Sequence, residues 1–212
     1  MNTKLLGEFN SEFKRQMFSV LSNQLSGLFK SQSCKDFTLM GNYKMGSFVY
    51  DAILLTNTDV FVLEFKKNVA GSIYVNDSGW TSTGGLICSG NHGAINPWEQ
   101  IKEKRNILYG LFRKKGFKKM FIKSIILFEK PFDLVRGNTS LNFENHKWFL
   151  TADVRNITQV LRQNSSSSAP VNFLQKASSV LPCHVKEISK ENPRNAVNKL
   201  LYIMREWWKK VA

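Results

Sequence analysis

Asp51, Glu64 and Lys66 are the residues of this chain whose types and spacing could do chemistry. Glu64 and Lys66 stand two apart in Val60-Phe61-Val62-Leu63-Glu64-Phe65-Lys66, an apolar run that reads as a strand. That spacing puts both on one strand face and turns Phe65 to the other. The preceding apolar run, residues 50–55, is joined to it by a short polar loop, so the two read as a hairpin with Asp51 at the mouth of the neighbouring strand. Asp51 and Glu64 offer hard oxygen ligands, and magnesium needs only one or two carboxylates beside water and substrate phosphate; manganese could take its place. A cation held there would polarise a phosphoryl oxygen and lower the pKa of a water. Lys66 would orient that water and offset transition-state charge. A salt-bridged pair on a solvated strand face fits the same spacing.

Spacing alone does not single out this triplet. Ten Glu and twenty-two Lys give about one Glu-x-Lys by chance, and the chain has two. The other is Glu12-Phe13-Lys14, in a segment whose apolar residues Phe9, Phe13, Met17, Val20, Leu21 and Leu28 recur at helical spacing. Residues two apart do not face each other on a helix. Glu12 and Lys14 therefore cannot share a site, and Lys14 is expected to stand outside the chemistry.

At 212 residues the chain is long enough for one domain, and its 42% hydrophobic content with sixteen Phe can fill a core. No apolar run approaches the roughly eighteen residues of a membrane helix, and the N-terminus has no signal-peptide pattern. Three separated cysteines, Cys34, Cys88 and Cys183, fit a reducing compartment, so a cytoplasmic protein is expected. Cys88 with His92 and Cys183 with His184 form no closed four-ligand zinc pattern. The net charge of +14 is uneven. Residues 1–106 carry eleven basic against nine acidic side chains, and residues 107–212 carry nineteen against seven. A basic half of that kind points to a polyanion, nucleic acid first, with a solubilising lysine-rich surface as the alternative.

The pattern predicts a helix over residues 10–29, a strand over 37–43, then the hairpin. Residues 71–91, rich in Gly, Ser, Thr and Asn around Ile73-Tyr74-Val75 and Trp80, read as an extension of the same sheet. Asn96-Pro97-Trp98-Glu99 opens a second helix as N-cap, first-turn proline and capping box, and Gly116 ends it. Arg113, Lys114, Lys115, Lys118 and Lys119 gather at its carboxyl end, where they complement the dipole and could track phosphates. A strand over 120–128, a short one over 147–150 and a helix over 154–162 follow, with His146 a loop or strand-edge residue. The expected division is a domain over 1–163, a serine-rich linker over 164–170 and a basic helical extension over 171–212. In that extension residues 194–211 read as an amphipathic helix ending in Trp207-Trp208-Lys209-Lys210, a stripe that docks onto the core, with base stacking or a membrane interface as the alternatives.

In order and spacing, Glu12, Asp51, Glu64-Phe65-Lys66, Trp80 and Asn96-Pro97-Trp98-Glu99-Gln100 resemble the nuclease-related domain (NERD) family of the PD-(D/E)XK superfamily. The resemblance covers residues 7–161. It implies a restriction-endonuclease-like α/β fold with a central mixed sheet in the order αβββαβ. It also implies Asp51 and Glu64 as metal ligands, Lys66 as catalytic lysine, and Gln100 as the glutamine facing the site from the following helix. Glu12 would be the helix-borne acid, with Glu8 one turn earlier as the alternative. Ala52 stands where the family often has histidine, which removes a polar neighbour and no ligand.

The expected function is a magnesium-dependent nuclease acting on DNA, without a membrane partner, alone, as a homodimer or in a larger DNA-processing complex. Two readings of other classes stand beside it: an inactive nucleic-acid-binding module of the same fold, and an interaction subunit using the basic helical tail. Neutralising Asp51 or Glu64 separates them, since a binding module keeps its affinity and a nuclease loses turnover.

Overall fold

The computed structural model describes residues 2–30, 36–83, 85–87, 96–117, 120–142, 145–166 and 172–181. In chain order the first elements are β1 (Asn2–Leu5), α1 (Glu12–Lys30), β2 (Phe37–Met45), β3 (Phe48–Thr56) and β4 (Val60–Lys66). Three short strands follow, β5 (Gly71–Asn76), β6 (Gly79–Ser82) and β7 (Gly85–Leu86), and then α2 (Pro97–Lys114). The remainder is β8 (Ile122–Phe128), β9 (Phe132–Arg136), β10 (Phe149–Asp153), α3 (Ile157–Gln163) and α4 (Phe173–Val180).

The two apolar runs form the expected hairpin, with Ile53 opposite Val62 and Leu55 opposite Val60. Its turn is fixed locally, since the Thr56 hydroxyl oxygen accepts from the backbone N–H groups of Thr58 (3.2 Å) and Asp59 (2.9 Å). The hairpin lies at the centre of a six-stranded mixed sheet, ordered β1-β2-β3-β4-β8-β10. β2, β3 and β4 run antiparallel, while β8 adds parallel to β4 and β10 parallel to β8. The parallel step from β4 to β8 needs a crossover, and α2 lies within it. The strands are buried on both faces, as a sheet with parallel crossovers requires.

Alternation along β4 divides the interior in two. Val60 and Val62 join a core with Trp98, Ile101, Leu108 and Phe112 of α2. Phe61, Leu63 and Phe65 join another with Met17, Phe18, Leu21 and Leu25 of α1 and Ile157 and Leu161 of α3. The helical stripe of α1 is shifted from the sequence expectation, because Val20 is exposed while Phe18 and Leu25 are buried. Gly41 lies within β2, inside the strand expected over residues 37–43. A Cβ there would come within 2.5 Å of the Phe18 ring, so α1 packs this closely only over a glycine.

The segment after β4 corrects the sequence reading. β5, β6 and β7 do not extend the central sheet; with β9 they make a second sheet, ordered β7-β6-β5-β9. Its inner residues Ile73, Val75 and Trp80 are fully buried, and the Trp80 ring stacks at 6.5 Å from Phe128 of β8. Strand β9 was not expected from the pattern. It pairs parallel to β5, 56 or more residues away in the chain, which no local periodicity reports. The last strand and α3 each begin two or three residues later than expected. Helix α4, absent from the pattern reading, buries Phe173, Ala177 and Val180 in the α2-side core, so the core continues past the serine-rich segment. The expected helix over residues 194–211 lies outside the described residues.

Candidate active site

Asp51 is the fourth residue of β3, inside the strand and not at its mouth, and it sits where the face pattern of the sheet changes. Met40 and Ile53 face the α2-side core, and so do Tyr43 and Tyr50, which strict alternation would send to the other side. Between these pairs Asn42 takes a left-handed backbone, φ 49°, and Gly41–Ala52 and Tyr43–Tyr50 are the flanking partners. The β3–β4 ladder runs to Ala52 opposite Leu63. Beyond it the Asp51 carboxylate takes over the next backbone donor, with Oδ2 accepting from the Phe65 N–H at 2.9 Å. Asp51 is thereby buried within the sheet beside Glu64.

Glu64 and Lys66 share the α2-facing side of β4, as their spacing requires, and the Lys66 ammonium donates to Glu64 Oε1 at 3.3 Å. Lys66 also donates to Gln100 Oε1 at 2.8 Å. Gln100 therefore faces the site from α2, as the resemblance implied. The start of that helix is fixed by Asn96, whose Oδ1 accepts from the Trp98 N–H at 2.9 Å. The Asn96 side-chain amide donates to the Asn76 and Asp77 carbonyls, so the β5–β6 turn sets where α2 begins. Glu99, expected to close a capping box, pairs with Lys102 on its own helix at 3.1 Å.

Two lysines enter the site that the sequence reading left out. Lys104, one turn beyond Gln100, is buried with its ammonium 2.5 Å from Glu64 Oε2. Its backbone carbonyl accepts from the Tyr50 hydroxyl at 2.9 Å, which ties this turn of α2 to β3. The spacing of four from Gln100 was a usable signal, since such residues share a helix face. Lys14 of α1 reaches Asp51 Oδ1 at 2.6 Å. This puts Lys14 beside the hairpin carboxylates, where the sequence reading did not place it. The helical argument holds for the triplet, because Glu12 and Lys14 do diverge. Glu12 is the residue that turns away: its side chain is 59% exposed and pairs with Arg15 at 3.0 Å and Gln16 at 3.2 Å. Glu8 is exposed as well. Neither acid is brought to the Asp51–Glu64 pair by a described contact.

The ionisations follow from burial set against these neighbours. Burial alone would raise the Glu64 pKa, but Lys104, then Lys66 and Lys14, outweigh it and hold Glu64 ionised, at about 2. Burial and then the Glu64 charge push Asp51 upward against Lys14 and Lys104. Lys14 moves up too, its burial outweighed by Asp51 and Glu64. Upward shifts on both partners compete for one proton, and the geometry decides for the ion pair, because both Asp51 oxygens already accept hydrogen bonds. Burial lowers the Lys66 pKa despite Glu64 and Asp51. Its two partners are acceptors, which is the pattern of an ammonium.

Arg113, Lys114 and Lys115 are exposed at the far end of α2. Thirteen residues from Gln100 at about 1.5 Å each put Arg113 roughly 20 Å from the cluster along the helix. Lys118, Lys119, Cys88, His92, Cys183 and His184 lie outside the described residues. His146 packs on Trp98, ring centroids 4.8 Å apart. Among the described residues no three His, Cys, Asp or Glu side chains gather as a metal cage, and no helix is long and apolar enough to cross a membrane.

No curated protein and no solved structure matches this chain. One family's sequence model, that of the nuclease-related domain, does match, over residues 10–129, a span that runs from the start of α1 through β8 and holds every side chain of the cluster. With its mixed sheet flanked by helices and its acidic and lysine side chains on the central hairpin, the chain belongs to the nuclease-related domain (NERD) family.

Proposed function

We propose that this domain is a metal-dependent nuclease that hydrolyses phosphodiester bonds of DNA, using magnesium or manganese held by Asp51 and Glu64. The observation that supports this reading is the meeting of Asp51, Glu64, Lys66 and Gln100, from three elements, in one cluster of a nuclease-related domain. The donor chemistry fits the cation, since two carboxylates suit a hard ion that keeps most of its waters. When bound, that ion would supply Lewis-acid polarisation and an activated water. Lys66 is already oriented by Glu64 and Gln100, so its charge is set in place before substrate arrives. Its role is to hold the attacking water and to offset negative charge in the transition state. Lys104 balances the second Glu64 oxygen and keeps that carboxylate ionised. The basic surface, including Arg113, Lys114 and Lys115, would hold the nucleic-acid backbone.

The test is incubation of the purified protein with plasmid, linear duplex, single-stranded DNA and RNA, with and without magnesium. Magnesium-dependent DNA cleavage is expected, abolished by Asp51→Asn and by Glu64→Gln. If either variant cuts at the wild-type rate, the metal site is elsewhere. A second reading, an inactive binding module, is favoured by one feature: every oxygen of the two carboxylates already accepts from an ammonium or N–H group. It requires DNA affinity that survives both substitutions and no cleavage under any metal.

A further inference from the structure

Three lysines meet two carboxylates in this cluster, and they are not equivalent. The Lys66 and Lys104 side chains are 4% and 8% exposed, whereas that of Lys14 is 35% exposed. Lys66 is held by two acceptors, Glu64 and Gln100, and Lys104 sits on a helical turn anchored by the Tyr50 hydroxyl. Lys14 comes from the first turn of α1, in the opposite layer, and its ammonium is described with one acceptor, Asp51 Oδ1.

We propose that Lys14 is a displaceable cation: it covers Asp51 in the metal-free protein and contacts substrate phosphate once a divalent cation has taken Asp51. This rests on the metal-dependent reading above. The two carboxylates and three ammonium groups sum to one positive charge. A dication entering beside a retained Lys14 would meet an ammonium on the same carboxylate oxygen, and at low effective dielectric that repulsion is large. Lys66 and Lys104 have little solvent to withdraw into, so Lys14 is the group that yields. Its flexible four-carbon stem lets the ammonium swing without moving α1. Once released it stands at the exposed rim of the site, where the anion that arrives is a phosphate of the nucleic acid. One residue would thus oppose metal binding and favour substrate binding.

Two binding measurements on the full chain test this without turnover. Manganese affinity is measured by calorimetry for wild type, Lys14→Ala, Lys14→Arg and Asp51→Asn. Affinity for a short DNA duplex is measured across a salt series with calcium replacing magnesium. Removing a charged hydrogen-bond partner from Asp51 should tighten manganese binding about tenfold or more. The same Lys14→Ala variant should bind duplex more weakly, with a log–log salt slope shallower by about 0.9, and Lys14→Arg should restore the slope. Thermal melts confirm that the half-exposed substitution leaves the fold intact. Manganese affinity unchanged or weakened in Lys14→Ala overturns the displacement, and an unchanged salt slope overturns the phosphate contact. Wild type binding manganese no better than Asp51→Asn would sink the metal-site reading itself, whereas Asp51-dependent binding indifferent to Lys14 would sink only this proposal.

Discussion

Each side chain in the cluster constrains its neighbours, and this sets what single substitutions should do. Lys66 is held by Glu64 and Gln100 before any substrate is present, so Lys66→Ala removes a preorganised charge. A loss of about 2.7–4 kcal/mol of transition-state stabilisation is expected, read in kcat, with DNA affinity little changed. A large loss of affinity at normal turnover would make Lys66 a phosphate anchor instead. Lys104→Met should act on stability, because it strips a buried carboxylate of its 2.5 Å partner. Breaking a buried pair from one side costs about 3 kcal/mol or more, while replacing both members is far milder. Urea unfolding of Lys104→Met, Glu64→Gln and the double variant should therefore show strong coupling. Additive losses would mean the two side chains do not depend on each other.

At the scale of elements, the site depends on how closely helices approach the sheet. Gly41 lets α1 pack on β2, and α1 carries Lys14. Gly41→Ala should cost about 1–3 kcal/mol by overpacking against Phe18. Adding Phe18→Leu should recover part of it, a rescue visible in the denaturation midpoint. If Gly41→Ala melts like wild type, α1 has room to move and does not fix Lys14. On the other face α2 is placed by Asn96 and the β5–β6 turn, so the second sheet supports Gln100 and Lys104 from a distance.

Across the whole molecule, a second buried pair sits away from the carboxylate cluster. Lys123 of β8 donates to Asp59 Oδ1 at 2.6 Å, and Asp59 also accepts from the Ser166 N–H and hydroxyl at 2.8 and 2.7 Å. This network pins the start of the serine-rich segment to the β3–β4 turn. Burial would raise the Asp59 pKa, but hydrogen bonds from Lys123, Thr58 and Ser166 outweigh it and lower it. A carboxylate with a depressed folded-state pKa contributes stability above its unfolded value of about 3.9 and loses it as pH falls through the folded value. Asp59→Asn should lower stability at neutral pH and flatten the acid limb below about pH 4; an unchanged limb would remove Asp59 from the linkage. The exposed Arg113, Lys114 and Lys115, roughly 20 Å from Gln100 by helical rise, belong to the same scale. A triple alanine variant should weaken DNA binding for all sequences, with turnover at saturation retained. Its salt slope should fall by about 0.9 for each phosphate that is no longer neutralised. No change in slope would leave the cluster as a solubilised helix end.

The hairpin, the shared face of Glu64 and Lys66, and the start of α2 at Asn96 were all legible in the amino-acid order. Each depends on a period of two or on the chemistry of adjacent residues, which are local properties of a chain. Gln100 was legible through family spacing. The tertiary structure alone decided which lysines meet the carboxylates. Lys14 lies 37 positions from Asp51, and Lys104 lies 40 from Glu64. The spacing of Lys104 from Gln100 marks a shared helix face, but Lys14 carries no such mark, and packing of α1 and α2 against opposite sides of the sheet decides what each face meets. The parallel pairing of β9 with β5 and the return of α4 to the core are hidden for the same reason. Their partners are remote in the chain, and burial against a remote partner leaves no periodic mark.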